Sequence, residues 1–361
     1  MKCIKFIFIL LLSFTSVNVF ANGTSAFNQI VFFGDSLSDN GNLYFYDGHT
    51  LPVEPYYNGR FSNGPTWAEN LAQNFSTNYA MTSQNIAFAG ETASYIPSDS
   101  YLNFYLAGTL NYHYYPFNLG SKAKTLFVIW VGGNDYLRGN IGDLDKLATE
   151  TVDSIQESIE SLISHGGKYF LIVNMPDLGT SPAIRATGAG SMFTEAATLH
   201  NAKLAAAVAM VQSKHSKVDI HVFDVNTLFT DVLTNPAVYN QKYGTHISNV
   251  TESCWTGGYT MQAPVTEVTI AAHLQATFDA NKLHGLINAA QTIDFKALAH
   301  QIAINKDLSA AYSVALSLES GATPCADPDA YVFWDGIHPT KVVHEVLAGE
   351  VGEYIKNVFP V

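Results

Sequence analysis

The sequence predicts a three-layer α/β/α sandwich built on a parallel sheet of about five strands. Five short apolar runs, each bounded by turn residues, have the composition of buried strands: 30–33, 85–88, 126–131, 169–173 and 220–223. Three longer segments have helical spacing and the length of crossover helices: 144–164, 192–211 and 342–355. Alternating buried strands and helices are typical of a sheet covered by helices on both faces.

A serine follows the first predicted strand, in the run Gly34-Asp35-Ser36-Leu37-Ser38. Open α/β sheets place their functional sites at this carboxyl edge. The nucleophile elbow of α/β-hydrolases requires glycine two positions after the serine, and Ser38 stands there instead, so that fold is disfavoured. Taken alone, Gly-Asp-Ser is also typical of a simple turn or helix cap.

Two further strand ends offer hydrogen-bond donors for a developing oxyanion. Gly90 follows the second run, and its backbone N–H is unobstructed by a side chain. Asn134 follows the third run, in Gly-Gly-Asn-Asp, and a side-chain amide of this kind contributes roughly 3–4 kcal/mol to a transition state. The alternative is that both residues serve only their turns.

Near the end of the chain a carboxylate precedes a histidine by three residues, in Trp-Asp-Gly-Ile-His-Pro-Thr. A tight turn would place Asp335 against His338, where it would fix the imidazole tautomer and stabilise the imidazolium formed when His338 takes the Ser36 proton. The alternative is an Asp-Gly turn followed by a helix that starts at Pro339.

Two stretches depart from the alternation of strands and helices. Residues 94–120 are crowded with Tyr and Phe and show little periodicity, so they form either an aromatic lid or lipid-contact loop, or an ordinary packed surface loop. A long insertion at about 240–329 contains Cys254 and Cys325. Such a loop can cover the site and be opened by an interface or by a protease, or it can be a structural excursion.

The N-terminus has the features of a cleaved secretory signal over 1–21. Two lysines precede a short apolar run, and small residues follow at the positions read by signal peptidase. The alternative, an uncleaved anchor, would need an apolar stretch of roughly 20 residues. A secreted or periplasmic chain that keeps Cys254 and Cys325 suggests one disulfide, with two free buried thiols as the alternative.

The charge distribution excludes some partners. The net charge is −13 and no run of Lys or Arg occurs, which argues against nucleic acid and against electrostatic adsorption to anionic lipid. Any transient contact with a membrane surface would therefore be apolar and aromatic.

Several other polar residues are expected to have structural roles. Asp39, Asn42 and Asp177 are predicted to fasten the loops that frame the site. His200 and His344 lie in predicted helices without a motif partner, so capping, packing or a surface role is expected of them rather than catalysis.

Together, the four segments resemble the SGNH, or GDSL, hydrolase family, whose Ser, Gly, Asn and His occur in this order in separate blocks. Here they correspond to Ser36, Gly90, Asn134 and His338. The resemblance covers nearly all of 22–361 as a single domain. It implies a flavodoxin-like sheet, no metal or organic cofactor, an oxyanion hole formed by Ser36, Gly90 and Asn134, and Asp335 as the acid that orients His338.

Further segments are similar to bacterial phospholipases and glycerophospholipid:cholesterol acyltransferases: 59–67, 174–179, 254–259 paired with Cys325, and 333–343. This similarity implies phospholipase A or lysophospholipase activity on a phospholipid or lysophospholipid, with a sterol as a further acyl acceptor. Two other functions stay open, a secreted carbohydrate or short-chain acetylesterase and a non-catalytic secreted binding protein that kept the scaffold.

Overall fold

The computed structural model describes residues 25–46, 48–49, 52–97, 103–257, 267–283, 293–304, 312 and 323–361. Five parallel strands form the main sheet: β1 (Gln29–Gly34), β2 (Thr82–Asn85), β3 (Thr125–Trp130), β4 (Tyr169–Val173) and β5 (Asp219–Phe223). Their spatial order, β2-β1-β3-β4-β5, is the flavodoxin-like one. The predicted fold class is confirmed, whereas the predicted signal at 1–21 lies outside the described residues.

Helices cover both faces of the sheet. Their bounds are α1 (Asn42–Tyr46), α2 (Trp67–Tyr79), α3 (Leu106–Thr109), α4 (Gly133–Arg138), α5 (Leu144–Ser164), α6 (Pro182–Ala186), α7 (Gly190–Lys214), α8 (Val225–Thr234), α9 (Pro236–Tyr243), α10 (Glu267–Leu283), α11 (Phe295–Ile304) and α12 (Lys341–Val358). α2 and α12 pack on one face, and α5 and α7 pack on the other, which gives the three layers.

The period of two along each buried strand supplies both halves of the core. In β1, Ile30 and Phe32 pack with the α2 and α12 side, whereas Val31 and Phe33 pack with the α5 and α7 side. All four side chains are almost fully buried. Burial of each such side chain contributes roughly 1.5–3 kcal/mol, so β1 is fixed between the layers.

The prediction of the second strand at 85–88 is wrong in its placement. The observed strand, β2, is formed by the polar residues Thr82–Asn85 that come just before the apolar run. β2 lies at the edge of the sheet and is partly exposed to solvent, so it needs no apolar run. The apolar residues continue along β1 past the end of the ladder: Ile86 N–H donates to the Phe32 carbonyl at 2.8 Å and Phe88 N–H to the Gly34 carbonyl at 3.0 Å. This extension leads the chain to the carboxyl edge.

The prediction that 94–120 lacks regular structure is also wrong in part. α3 continues into a π-helical turn over Leu110–Tyr114 and a 3₁₀ turn over Tyr115–Phe117. The buried residues Leu106, Leu110 and Tyr114 recur every four positions, as one face of a helix does. Aromatic residues on the exposed face hid this period in the sequence.

A small second sheet connects the start of the insertion to its end. β6 (Asn249–Ser253) pairs in parallel with β7 (Tyr331–Phe333), and the predicted disulfide joins Cys254 to Cys325 with a Cα–Cα distance of 4.9 Å. α10 and α11 pack together around a core of their own: Ile270, Ala299, Ile302 and Tyr312.

Within the described ranges, no helix combines the length and apolar character needed to span a bilayer.

Candidate active site

Ser36 lies in a tight turn at the end of β1. The Ser38 and Asp39 N–H groups both donate to the Asp35 carbonyl at 2.9 Å, and the turn leaves Ser36 partly exposed. Gly34 enters this turn against β3, where an added Cβ would lie only 2.3 Å from the Trp130 carbonyl oxygen. Only glycine allows β1 and β3 to approach this closely just before the serine.

Ser36, His338 and Asp335 form a hydrogen-bonded chain. The distance from Ser36 Oγ to His338 Nε2 is 2.9 Å, and His338 Nδ1 lies 2.8 Å from Asp335 Oδ2 and 3.0 Å from Oδ1. Since the carboxylate accepts the proton on Nδ1, Nε2 is free to accept the hydroxyl proton of Ser36. The serine, histidine and acid predicted from the sequence therefore form the hydrogen-bonded chain Ser36–His338–Asp335 that activates a serine nucleophile.

The turn after β7 places the acid against the histidine. The Ile337 and His338 N–H groups donate to Asp335 Oδ1 at 2.8 and 2.7 Å. Trp334 N–H donates to the His338 carbonyl at 2.8 Å and closes the turn. The predicted contact between Asp335 and His338 is thus a consequence of local backbone geometry, which explains the spacing of three residues.

Tyr56 is a site residue that the sequence did not predict. Its hydroxyl donates to Asp335 Oδ2 at 2.5 Å, and its ring packs against Phe61 and Trp334. It lies 279 positions from the acid, within a segment that has no strand or helix pattern, so only the folded chain brings the two together.

Asp335 is an ionised carboxylate despite being fully buried. Burial would raise its pKa, but His338 and the N–H and O–H donors, Tyr56 among them, outweigh burial and lower the pKa below its ordinary value. An acid that stays ionised can hold the imidazole tautomer and stabilise the imidazolium.

The candidate oxyanion donors come from two adjacent loops. Asn134 lies at the start of α4 beside Ser36, and one N–H of its amide donates to the Glu91 carbonyl at 3.0 Å. Gly90 is buried with a left-handed φ of 79° and does not line the pocket that contains Ser36 and Asn134. The loop that carries Gly90 is nevertheless joined to Asn134 through the carbonyl of the next residue.

Two buried carboxylates anchor this loop at its ends. Asp39 accepts hydrogen bonds from the N–H groups of Ala89, Gly41, Asn42 and Leu43 at 2.6–3.1 Å. Asp135 accepts from the Ala93 N–H at 2.7 Å and from the Ser94 N–H at 3.0 Å. The predicted loop-fastening role of Asp39 is confirmed, as is that of Asn42, whose amide donates to the Asn85 and Ala87 carbonyls.

Burial shifts the protonation of the acids around Ser36. It raises the pKa of Asp35 to about 7 and that of Asp39 to about 6, against the opposing effect of their backbone N–H donors. Burial raises the pKa of Asp135 as well. The serine therefore lies in a shell of acids of which some carry a proton near neutral pH.

An apolar pocket opens next to Ser36 and His338. Apart from Asp35, Gly133, Asn134 and the two reactive residues, its walls are aliphatic and aromatic: Leu37, Phe61, Leu137, Leu178 and Ile337. The Phe61 ring lies 5.0 Å from the His338 ring. A reacting group bound here would have hydrocarbon on one side and the polar groups of Ser36, Asn134 and His338 on the other.

Three of the segments that resemble bacterial phospholipases, 59–67, 174–179 and 333–343, hold the loops around this pocket together. Ser62 Oγ donates to the Pro339 carbonyl at 2.9 Å, and Asn63 Oδ1 accepts from the Lys341 N–H at 2.8 Å. Asp177 accepts from the Thr194 hydroxyl at 2.8 Å and fastens the loop that carries Leu178, as predicted. These segments hold the walls in place.

The two remaining candidate histidines are buried away from the reaction. His344 Nδ1 accepts from the Trp67 N–H at 3.2 Å, and His200 Nδ1 lies 3.1 Å from the Tyr136 hydroxyl. Burial lowers the pKa of His344 to about 3 and that of His200 to about 4, so both are neutral. The expectation of packing and capping roles is confirmed.

A Ser-His-Asp arrangement with amide donors, at the carboxyl edge of a flavodoxin-like sheet, defines the class of serine hydrolases that act on acyl groups. The site lies between the ends of β1 and β3, where the strand order reverses. The family model described as GDSL-like Lipase/Acylhydrolase matches residues 30–351, and the chain belongs to this family. It is a serine esterase or lipase of the GDSL type.

The phosphatidylcholine-sterol acyltransferase of Aeromonas hydrophila is 27% identical over 98% of this chain and 97% of its own length. The thermolabile hemolysin of Vibrio parahaemolyticus is 23% identical over 92% of this chain and 64% of its own. A solved structure of a carbohydrate esterase can be superposed on 55% of this chain and 59% of its own chain, with 16% sequence identity. The TM-score of 0.35 is too low for this likeness to support a functional inference.

Proposed function

We propose that this chain is a secreted lipid acyl-ester hydrolase that acts as a phospholipase A or lysophospholipase and can transfer the acyl group to a sterol. The observation that supports it best is the apolar pocket beside Ser36 and His338, since a hydrocarbon lining suits a fatty acyl chain better than a polar sugar. The name and nearly complete coverage of the Aeromonas relative favour the same substrate class.

The proposed chemistry has two acyl-transfer steps. His338 Nε2 accepts the Ser36 proton as Oγ attacks the ester carbonyl, and the imidazolium returns that proton to the departing alcohol. The N–H groups of Ser36 and Gly90 and the Asn134 amide would hold the negative oxygen that forms at the carbonyl. Water or a sterol hydroxyl then attacks the acyl-serine, with His338 again accepting and returning the proton.

An exposed aromatic surface supports contact with lipid. Phe45, Tyr112 and Phe117 are 77%, 70% and 78% exposed, and the sequence 103–120 contains no Asp, Glu, Lys or Arg. The Tyr46 ring joins α1 to this segment through a contact with His113 at 5.9 Å. In a chain with a net charge of −13, such a surface can enter a lipid interface without electrostatic attraction.

Export and proteolytic activation are part of the proposal. Residues 1–21 would direct secretion to the periplasm or beyond. The insertion between Cys254 and Cys325 would cover the entrance until a protease cuts it, while the disulfide keeps both ends attached. Its helices pack around their own small core, which is compatible with their displacement from the rest of the chain.

The test measures fatty acid and sterol ester released from vesicles of phosphatidylcholine and cholesterol, and from lysophosphatidylcholine, before and after limited proteolysis. The wild type should release fatty acid, with sterol ester if transfer occurs, and Ser36→Ala should release neither. Unchanged rates after clean nicking would overturn the activation step. Hydrolysis confined to acetyl or other short-chain esters would overturn lipid specificity in favour of an acetylesterase.

Replacement of Phe45 and Tyr112 by serine tests the lipid-contact surface. We expect the double variant to lose most of its hydrolysis of vesicle phosphatidylcholine while it cleaves a soluble short-chain ester at the wild-type rate, because only interfacial binding is affected. Met210→Ser, at an exposed position on α7, is the control. Equal losses on vesicles and on the soluble ester would contradict a role in lipid contact.

A further inference from the structure

A buried carboxyl group that makes no well-formed hydrogen bond among the described residues lies next to the oxyanion glycine. Glu91 directly follows Gly90, its side chain is 0% exposed, and neither carboxyl oxygen has a hydrogen-bond partner among the described residues. A buried carboxylate with no partner is strongly unfavourable, whereas a neutral carboxylic acid costs far less. The acyl-transfer steps above give this side chain no role.

The backbone around Glu91 carries the candidate oxyanion hole. Its carbonyl accepts the Asn134 amide at 3.0 Å, and the loop is anchored by Ala89 N–H to Asp39 and by Ala93 N–H to Asp135. Glu91 thus lies midway between two anchors, where a small displacement of its backbone would move both Gly90 and Asn134.

The groups that face the Glu91 side chain are acidic or neutral. Asp35 and Asp39 approach it from the nucleophile loop, the residues 35–41 between β1 and α1 that include Ser36. Asp135, on α4, anchors the far end of the loop that carries Glu91. From α3 comes the buried Thr109, whose hydroxyl faces the Glu91 carboxyl closely enough to favour its charged form but makes no well-formed hydrogen bond among the described residues. Burial raises the pKa of Glu91 well above its ordinary value, Thr109 opposes this, and Asp35 and Asp39 add to it.

We propose that Glu91 is a positioning residue whose uncharged side chain allows its loop to pack against the nucleophile loop, so that Gly90 and Asn134 point to the substrate oxygen. The inference rests on the proposed acyl-transfer function. Ionisation of Glu91 would add a negative charge beside Asp35 and Asp39, and the loop would move away from Ser36.

The variants Glu91→Gln and Glu91→Met test this, because both side chains are neutral at every pH. For the wild type, kcat on a soluble ester should fall at alkaline pH as Glu91 ionises. Both variants should keep their activity, so that the ratio of variant to wild-type kcat rises with pH, by about threefold or more once Glu91 is ionised in most wild-type molecules. Glu195→Gln, at an exposed position on α7, should follow the wild type.

Thermal unfolding provides a readout that does not require activity. The unfolded chain loses the Glu91 proton near pH 4.5, whereas the folded chain retains it, so this group destabilises the fold increasingly as the pH rises above 4.5. The Tm of Glu91→Gln relative to wild type should therefore increase with pH.

Parallel kcat and Tm profiles of variant and wild type, or failure of both neutral variants to fold at every pH, would overturn the proposal. A lack of Ser36-dependent hydrolysis would instead overturn the proposed function, while the Tm comparison would still decide the charge of Glu91.

Discussion

At the scale of single residues, the site depends on how one fully buried carboxylate is stabilised. Asp335 accepts hydrogen bonds from the backbone N–H groups of Ile337 and His338, from the His338 imidazole and from the Tyr56 hydroxyl. The two backbone donors come from its own turn and would survive most side-chain substitutions. Tyr56 is the donor supplied by a distant segment.

Tyr56→Phe should lower the free energy of unfolding by about 1–3 kcal/mol, because a buried carboxylate oxygen loses a donor while the ring contacts persist. We expect kcat on a soluble ester to fall by no more than about tenfold, since the turn still orients Asp335. Urea unfolding and steady-state kinetics measure both effects. Tyr57→Phe, with an exposed ring, is the control, and equal effects in the two variants would contradict the assigned contact.

The reactive residues and the loop-fastening residues Asp39, Asn42 and Asp177 were predictable from sequence, but Tyr56 and Glu91 were not. Ser36, Asn134 and His338 each follow a strand or precede a helix in a recognisable short motif, so local pattern is sufficient to find them. Tyr56 acts across the fold and has no local pattern. The only sequence signal for Glu91 was an acidic residue just after the oxyanion glycine, and its burial cannot be read from the sequence.

At the scale of secondary-structure elements, the contact between α2 and α12 holds the histidine block to the nucleophile loop. His344, in the first turn of α12, accepts from the Trp67 N–H at the start of α2, and Trp67 Nε1–H donates to Ser38 Oγ at 3.1 Å. The imidazole of His344 must be neutral for Nδ1 to accept. This connection makes the helix pair sensitive to acid.

His344→Asn should change the acid stability of the protein. Below pH 6.5 the unfolded chain gains a proton on His344, whereas the folded chain, with a pKa of about 3, does not, so stability is lost as the pH falls. At pH 4.5 this loss is about 2–3 kcal/mol. Relative to wild type, the Tm of His344→Asn should rise between pH 7 and pH 4.5. His49→Asn, at an exposed position, is the control, and parallel Tm curves for His344→Asn and wild type would contradict the neutral buried histidine.

Elements whose apolar residues face the core were predicted well, whereas β2 and the helical turns over 106–117 were not. The β3 and β4 runs are apolar because helices cover both faces of the sheet. The period of the helix over 144–164 is visible because one of its faces packs in the core, and β5, the other edge strand, was found because Ile220 and Phe223 are buried. β2 is polar because solvent reaches it, and the helical turns over 106–117 place aromatic residues outward. In β2 and in the turns over 106–117, the pattern of apolar residues in the sequence therefore does not indicate which side faces the core.

At the scale of the whole molecule, a disulfide and a two-stranded sheet attach the insertion to the acid-bearing turn. Cys254 N–H donates to the Phe333 carbonyl at 3.0 Å, and Trp255 N–H donates to the Trp334 carbonyl at 2.7 Å, one residue before Asp335. The insertion therefore starts and ends at the site, although no residue that lines the described pocket belongs to it.

Replacement of Cys254 and Cys325 by serine should lower the free energy of unfolding by roughly 4 kcal/mol, because the disulfide closes a long loop in the unfolded chain. The kcat of the folded variant should remain within several-fold of wild type, since the turn after β7 is closed by its own hydrogen bonds. Reductant should destabilise the wild type and leave the variant unchanged. Equal stability of wild type with and without reductant would contradict a structural role for the disulfide.

The decisive step of the proposed chemistry is the transfer of the acyl group to Ser36, with His338 as the base. The most direct measurement is mass spectrometry of the peptide that contains Ser36 after rapid acid quench of the enzyme with phosphatidylcholine. We expect a fatty acyl adduct on Ser36 in the wild type and none in Ser36→Ala or His338→Ala. Turnover of phosphatidylcholine that persists in Ser36→Ala, or an adduct on another residue, would contradict it.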